Sequence, residues 1–105
     1  LIPIGKADIK REGKDITVVS FNKMMKVALK AAELLTAENI EAEVIDLRTI
    51  RPLDFETIIQ SVKKTNRLLI IEESWPFGNV STEITYKIQK DAFDYLDAPV
   101  RRLTS

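Results

Sequence analysis

Two stretches of this chain are apolar and rich in β-branched residues without alternation: ITVVSF at residues 16–21 and RLLIIEE at residues 67–73. A strand with one face in water alternates apolar and polar side chains. A strand packed on both faces does not, and such strands belong to parallel sheets covered by helices. A third strand, IEAEVIDL at 40–47, lies between them. The segments separating these strands have helical spacing, and that alternation limits the fold more than any other feature of the chain.

The first helix is expected from about residue 22 to 38. Met25, Ala28, Leu29, Ala32 and Leu35 share one face, and Lys23, Lys26, Lys30 and Glu33 take the other. Asn22 is the candidate N-cap and Asn39 a left-handed stop. The second helix is capped by Asp54 and buries Phe55, Ile58, Ile59 and Val62. Its last turn carries Lys63 and Lys64, where cations suit the helix dipole. A third helix over 80–91 turns Val80, Ile84 and Ile88 inward, with Ser81 or Asn79 as cap, and VRRLT at 100–104 is a short final strand.

The order predicts a three-layer α/β/α domain on a mostly parallel sheet. Residues 1–14 read as an incoming linker with a short extended piece over 7–10, and 15–105 as the domain. A helix after the last strand would complete the pattern, so the domain is expected to be incomplete at its C-terminus. The chain opens on Leu1 without a Met, so it is expected to be a fragment.

With 105 residues, 45% of them hydrophobic, the chain can build one ordinary core. Its 16 basic and 16 acidic residues balance, so charge points to neither nucleic acid nor an anionic membrane. No apolar run approaches the roughly 18–20 residues that span a bilayer. There is no Cys and no His. That excludes disulfides, thiolate chemistry, a Ser-His-Asp triad and the commonest metal ligand. Chemistry in which this chain takes part must come from carboxylates, a cofactor or another part of the protein.

Parallel sheets bind ligands beyond the C-terminal ends of their strands. Three connections qualify. Phe21-Asn22-Lys23 has no glycine, and with three glycines in the whole chain a dinucleotide or P-loop cradle is not expected. DLRTIRPLD brings Asp46, Arg48, Arg51 and Asp54 together. Arg48 and Arg51 can grip a carboxylate or phosphate. Alternatively, the aspartates pair with the arginines and Asp54 caps the helix, which is the commoner arrangement. EESWPFGN places Glu72 at a strand end, with Glu73 on the opposite face. Trp75 and Phe77 suit either a protein contact or a lid over the core. KDAFDYLDAP spaces Asp91, Asp94 and Asp97 around Phe93 and Tyr95, which suits a basic partner or a solvated turn. From the residues alone, this is a binding or assembly domain.

Four stretches in order carry a resemblance. IPIGKADIKREGKDITVVSF, EAEVIDLRTIRPLD, ETIIQSVKKTNRLL and LDAP with its following strand resemble the C-terminal domain of 2-oxoacid dehydrogenase beta subunits, in the transketolase C-terminal domain group. The run from Arg48 through Arg51 to Asp54, the Trp75-Pro76 turn and the segment from Phe93 to Pro99 look like the pyruvate-specific branch. Branched-chain relatives tend to carry an apolar residue at Arg51 and no Trp-Pro turn. A non-enzymatic α/β ligand-binding or interaction domain of the same fold is the other reading.

The resemblance implies thiamine-diphosphate-dependent decarboxylation with acetyl transfer to lipoyl groups. It also implies that thiamine diphosphate and Mg2+ are held outside this chain, mainly by an alpha subunit. No catalytic, cofactor or metal residue is therefore assigned to it. The implied partners are the alpha subunit, a second beta subunit and a dihydrolipoyl acyltransferase core. The implied compartment is a bacterial cytoplasm or a mitochondrial matrix. Asp97 is the implied docking acid. Arg48, Arg51, Trp75 and Phe77 are further interface candidates.

Overall fold

Residues 6–48, 53–72 and 78–104 are described in the computed structural model. The elements are β1 (Asp8–Arg11), β2 (Ile16–Ser20), α1 (Met25–Ala37), β3 (Ala42–Asp46), α2 (Phe55–Thr65), β4 (Leu68–Glu72), α3 (Gly78–Asp91) and β5 (Arg101–Thr104). The sheet runs β1-β3-β2-β4-β5. β2 pairs in parallel with β3 and β4, and β4 with β5. The expected strand-helix alternation and mostly parallel sheet are present.

Adjacent residues of the central strands serve opposite cores, as two-sided burial requires. Val18, Val44 and Ile71 pack on one face against Ala28 and Ala32 of α1. Val19, Ile45 and Ile70 pack on the other against Ile58 and Val62 of α2 and Ile84 and Ile88 of α3. This is why ITVVSF and RLLIIEE show no alternation.

The extended piece expected over 7–10 is β1. It runs antiparallel to β3, with Ile9 opposite Ile45 and a register shift between Ile9 and Arg11. Three local expectations are corrected. A 3-10 turn at Asn22–Met24 precedes α1, so the helix begins later and its cap position is Met24, without a side-chain cap. Leu29 does not join the buried stripe and is exposed. At 100° per residue it lies off the edge of the face that Ala28 and Ala32 present to the sheet. α3 starts at Gly78 rather than 80, which puts Ser81 inside its first turn, where it cannot act as the N-cap.

Other stops match. Asn39 is left-handed at φ 64. Asp54 caps α2, accepting the Thr57 N–H at 3.1 Å. Its second oxygen accepts the Ala7 N–H at 2.9 Å, so one carboxylate fastens both the approach to β1 and the start of α2. Asp54→Ala is expected to cost about 1–2 kcal/mol in urea unfolding. A loss under about 0.3 kcal/mol would show that the cap is idle.

Candidate functional site

The C-terminal edge of the sheet is built from short polar side chains. Asp46 ends β3, and its Oδ1 accepts the backbone N–H of Arg48 at 3.0 Å. Arg48 is exposed with φ 61, a left-handed position that the Asp46 contact closes as a tight turn. Asp46 thus engages the backbone two residues on, and its expected pairing with Arg51 lies outside the described residues. Asp54 is likewise engaged by Thr57, Ala7 and, at 3.9 Å, Lys6. Burial pushes the Asp54 carboxyl up. The Thr57 and Ala7 donors and the Lys6 charge outweigh that and hold it below the usual aspartate range. Arg51, Trp75, Phe77 and Glu73 lie outside the described residues.

At the end of β4, Glu72 is buried and accepts the Ser81 hydroxyl at 2.7 Å. Arg102 on β5 donates to the same hydroxyl oxygen at 3.1 Å. Ser81 is fully buried and ties β4, β5 and α3 together. The serine expected as a cap instead joins strand ends.

A second polar cluster, unsuspected from the sequence, lies beneath α2. Glu43 of β3 is only 1% exposed. Its Oε1 accepts the Gly13 N–H at 3.2 Å and the Lys64 ammonium. Thr17 of β2 lies beside it, its hydroxyl 2.6 Å from both Ser61 and Thr65 of α2. Burial pushes the Glu43 carboxyl up, but hydrogen bonds from Lys64, Ser61 and Gly13, with the Lys64 charge, hold it below the usual range. Glu43, Ser61 and Lys64 line one wall of an open cleft of about 470 Å³ between β1 and α2. An acid set directly before the apolar pair Val44-Ile45 in a strand buried on both faces was the available signal. Its partners, at 13, 17, 61, 64 and 65, are too far apart in sequence to announce themselves.

Asp97 is exposed on the segment after α3, its backbone N–H bound to Asn66 O at 2.8 Å. It shares that end of the molecule with Asp91, Asp94, Phe93 and Tyr95. Among the described residues, no group of three or more His, Cys, Asp or Glu is set to hold a metal ion. No helix there is long and apolar enough to cross a membrane.

Residues 5–105 match the family described as the transketolase C-terminal domain. The chain belongs to the transketolase C-terminal domain family. It is 52% identical over 103 residues to the mitochondrial pyruvate dehydrogenase E1 component subunit beta of Dictyostelium discoideum, a match covering 98% of this chain and 29% of that protein. It is 58% identical over 99 residues to the corresponding subunit of Rickettsia felis, covering 94% of this chain and 30% of that one. The chain therefore spans less than a third of either relative. Among solved structures, a split-gene transketolase described as an inactive beta4 tetramer superposes with a TM-score of 0.78 at 29% identity, over 96% of this chain and 32% of that one.

Proposed function

We propose that this chain is the C-terminal assembly domain of the beta subunit of an acetyl-transferring pyruvate dehydrogenase. The observation that carries this is the identity of 52–58% over 94–98% of the chain to beta subunits of that name. The enzyme decarboxylates pyruvate with thiamine diphosphate and passes the acetyl unit to lipoyl groups. This domain assembles with an alpha subunit and a second beta subunit, and docks the acyltransferase core.

The described residues do not fit the cofactor. They contain no group of three or more His, Cys, Asp or Glu set to hold a metal ion, and the carboxylates of Glu43 and Glu72 accept hydrogen bonds from Gly13, Lys64 and Ser81. Both are spent on structural hydrogen bonds. No chemical step is therefore assigned to them, and the domain's work is geometric: it presents surfaces to its partners.

The full-length beta subunit, co-expressed with its alpha subunit, should decarboxylate pyruvate with kcat/KM at least about tenfold above branched-chain 2-oxoacids. A preference for branched-chain substrates would replace the pyruvate assignment, and failure to pair with any alpha subunit would remove the enzymatic one. In the assembled enzyme, Asp97→Lys should weaken binding to the acyltransferase core about tenfold or more at low salt, by reversing an exposed charge. Unchanged affinity would take Asp97 out of the interface.

A further inference from the structure

Asp54 makes more contacts than a helix cap needs. A cap requires one oxygen on an N–H of the first turn, and Oδ1 supplies it to Thr57 at 3.1 Å. Oδ2 has separate work. It accepts the Thr57 hydroxyl at 2.5 Å and the Ala7 N–H at 2.9 Å, and Lys6 Nζ lies 3.9 Å away. The side chain is only 8% exposed, so these donors rather than water satisfy it.

The Ala7 contact reaches 47 residues back, to the place where the chain enters the domain. Lys6 is exposed, and Ala7 is buried in the core that α2 and α3 share. The chain thus passes from solvent to interior across the Lys6–Ala7 peptide, and the N–H of that peptide is the one Asp54 holds. The strand that follows is a weak anchor. β1 is a four-residue edge with a register shift, and its DIKR composition has little strand preference of its own. Short edges of this kind open locally before a core does. Asp54 moors the entry instead to α2, whose Ile58 and Val62 are fully buried.

We infer that Asp54 is a positioning residue that locks the direction in which the preceding part of the polypeptide meets this domain. This rests on the reading above of the chain as the C-terminal domain of a longer subunit. A domain held in one orientation loses less entropy on assembly than one free to swing. Asp54 therefore acts on subunit assembly and touches no reacting atom. Asp54→Ser separates the lock from the cap. Serine is as good a cap as aspartate, so the Thr57 N–H keeps an acceptor. Its single, shorter oxygen leaves nothing for the Ala7 N–H and no charge for Lys6.

Hydrogen exchange of the assembled alpha–beta enzyme tests the lock. The Ala7 amide should exchange at least about tenfold faster in Asp54→Ser, with the Thr57 amide within about threefold of the parent. Asp15→Ser removes the acceptor of the Glu41 N–H in the turn after β1 and should leave Ala7 unchanged. On dilution, the subunit concentration giving half the full pyruvate activity should rise at least about fivefold in Asp54→Ser, with kcat and KM at saturating subunit unaltered. Equal acceleration at Ala7 and Thr57 would reduce Asp54 to a cap. Unaltered Ala7 exchange would remove the lock, and faster Ala7 exchange with unaltered assembly would show that the lock positions nothing. Each of these overturns the inference. A parent subunit that pairs with no alpha subunit overturns the enzymatic reading instead, and Ala7 exchange in that full-length chain still decides the lock.

Discussion

Gly13→Ala should lower the unfolding free energy by about 3 kcal/mol or more, with Lys14→Ala within about 0.5 kcal/mol of the parent. A Cβ at Gly13 would lie 2.3 Å from Ala42 C, 2.5 Å from Ala42 O and 2.6 Å from Glu43 N. All three are backbone atoms, so no rotamer change can make room. The neighbouring turn is equally held: Asp15 N–H reaches Glu41 O at 2.9 Å, and Asp15 Oδ2 accepts Glu41 N–H at 2.7 Å. Relief would require β3 to move. That strand sits between β1 and β2, and both cores include its residues. Moving Gly13 away would also break its bond to Glu43. Urea unfolding of the two variants is the measurement. A Gly13→Ala loss below about 1 kcal/mol would mean that the turn can lift off β3 freely.

The features legible in the sequence are those whose signal is local. Two-sided strands show as unbroken apolar runs, and a capping Asp54 shows because it sits just before its helix. Asn39 was readable as a left-handed stop, since Asn bears that conformation more easily than other residues with a Cβ. Arg48 was not, because no arginine signals φ 61 on its own and the Asp46 contact that stabilises the turn is visible only in three dimensions. β1 has four residues of mixed composition, DIKR, and becomes a strand only because β3 offers it an edge. Leu29 was misassigned because a helical stripe read from sequence has no fixed edge until the sheet beneath it is known.

The interior polar groups were illegible for a different reason. Glu43 and Glu72 each look like a polar interruption at or near the end of a strand. Each becomes tolerable inside only through donors from elsewhere in the chain: Gly13 and Lys64 for one, Ser81 for the other. Buried carboxylates in a sheet invite a catalytic reading. Here their hydrogen bonds join strands and helices instead.

Glu43 gives the sharpest test of that reading. Glu43→Ala should destabilise by about 2–3 kcal/mol, because it removes the acceptor of the part-buried Gly13 N–H and of the Ser61 hydroxyl beneath α2. The loss falls short of that for a fully buried ion pair, since the Lys64 side chain is 47% exposed and regains water when its partner goes. Glu43→Gln keeps the volume and most acceptor contacts, so its cost should be smaller and should depend on pH. The folded state holds the Glu43 carboxyl below its ordinary value of 4.5. The unfolded chain therefore binds this proton first, and the charge contributes fully above about pH 4.5. As pH falls through the lower folded value, that contribution is lost. The gap in unfolding free energy between parent and Glu43→Gln should thus be widest near neutrality and narrow below pH 4.5. Asp54 titrates in the same direction in both proteins and cancels from the difference. A gap that stays constant down to about pH 3 would show that the carboxylate charge contributes nothing, leaving only shape and hydrogen bonding at position 43.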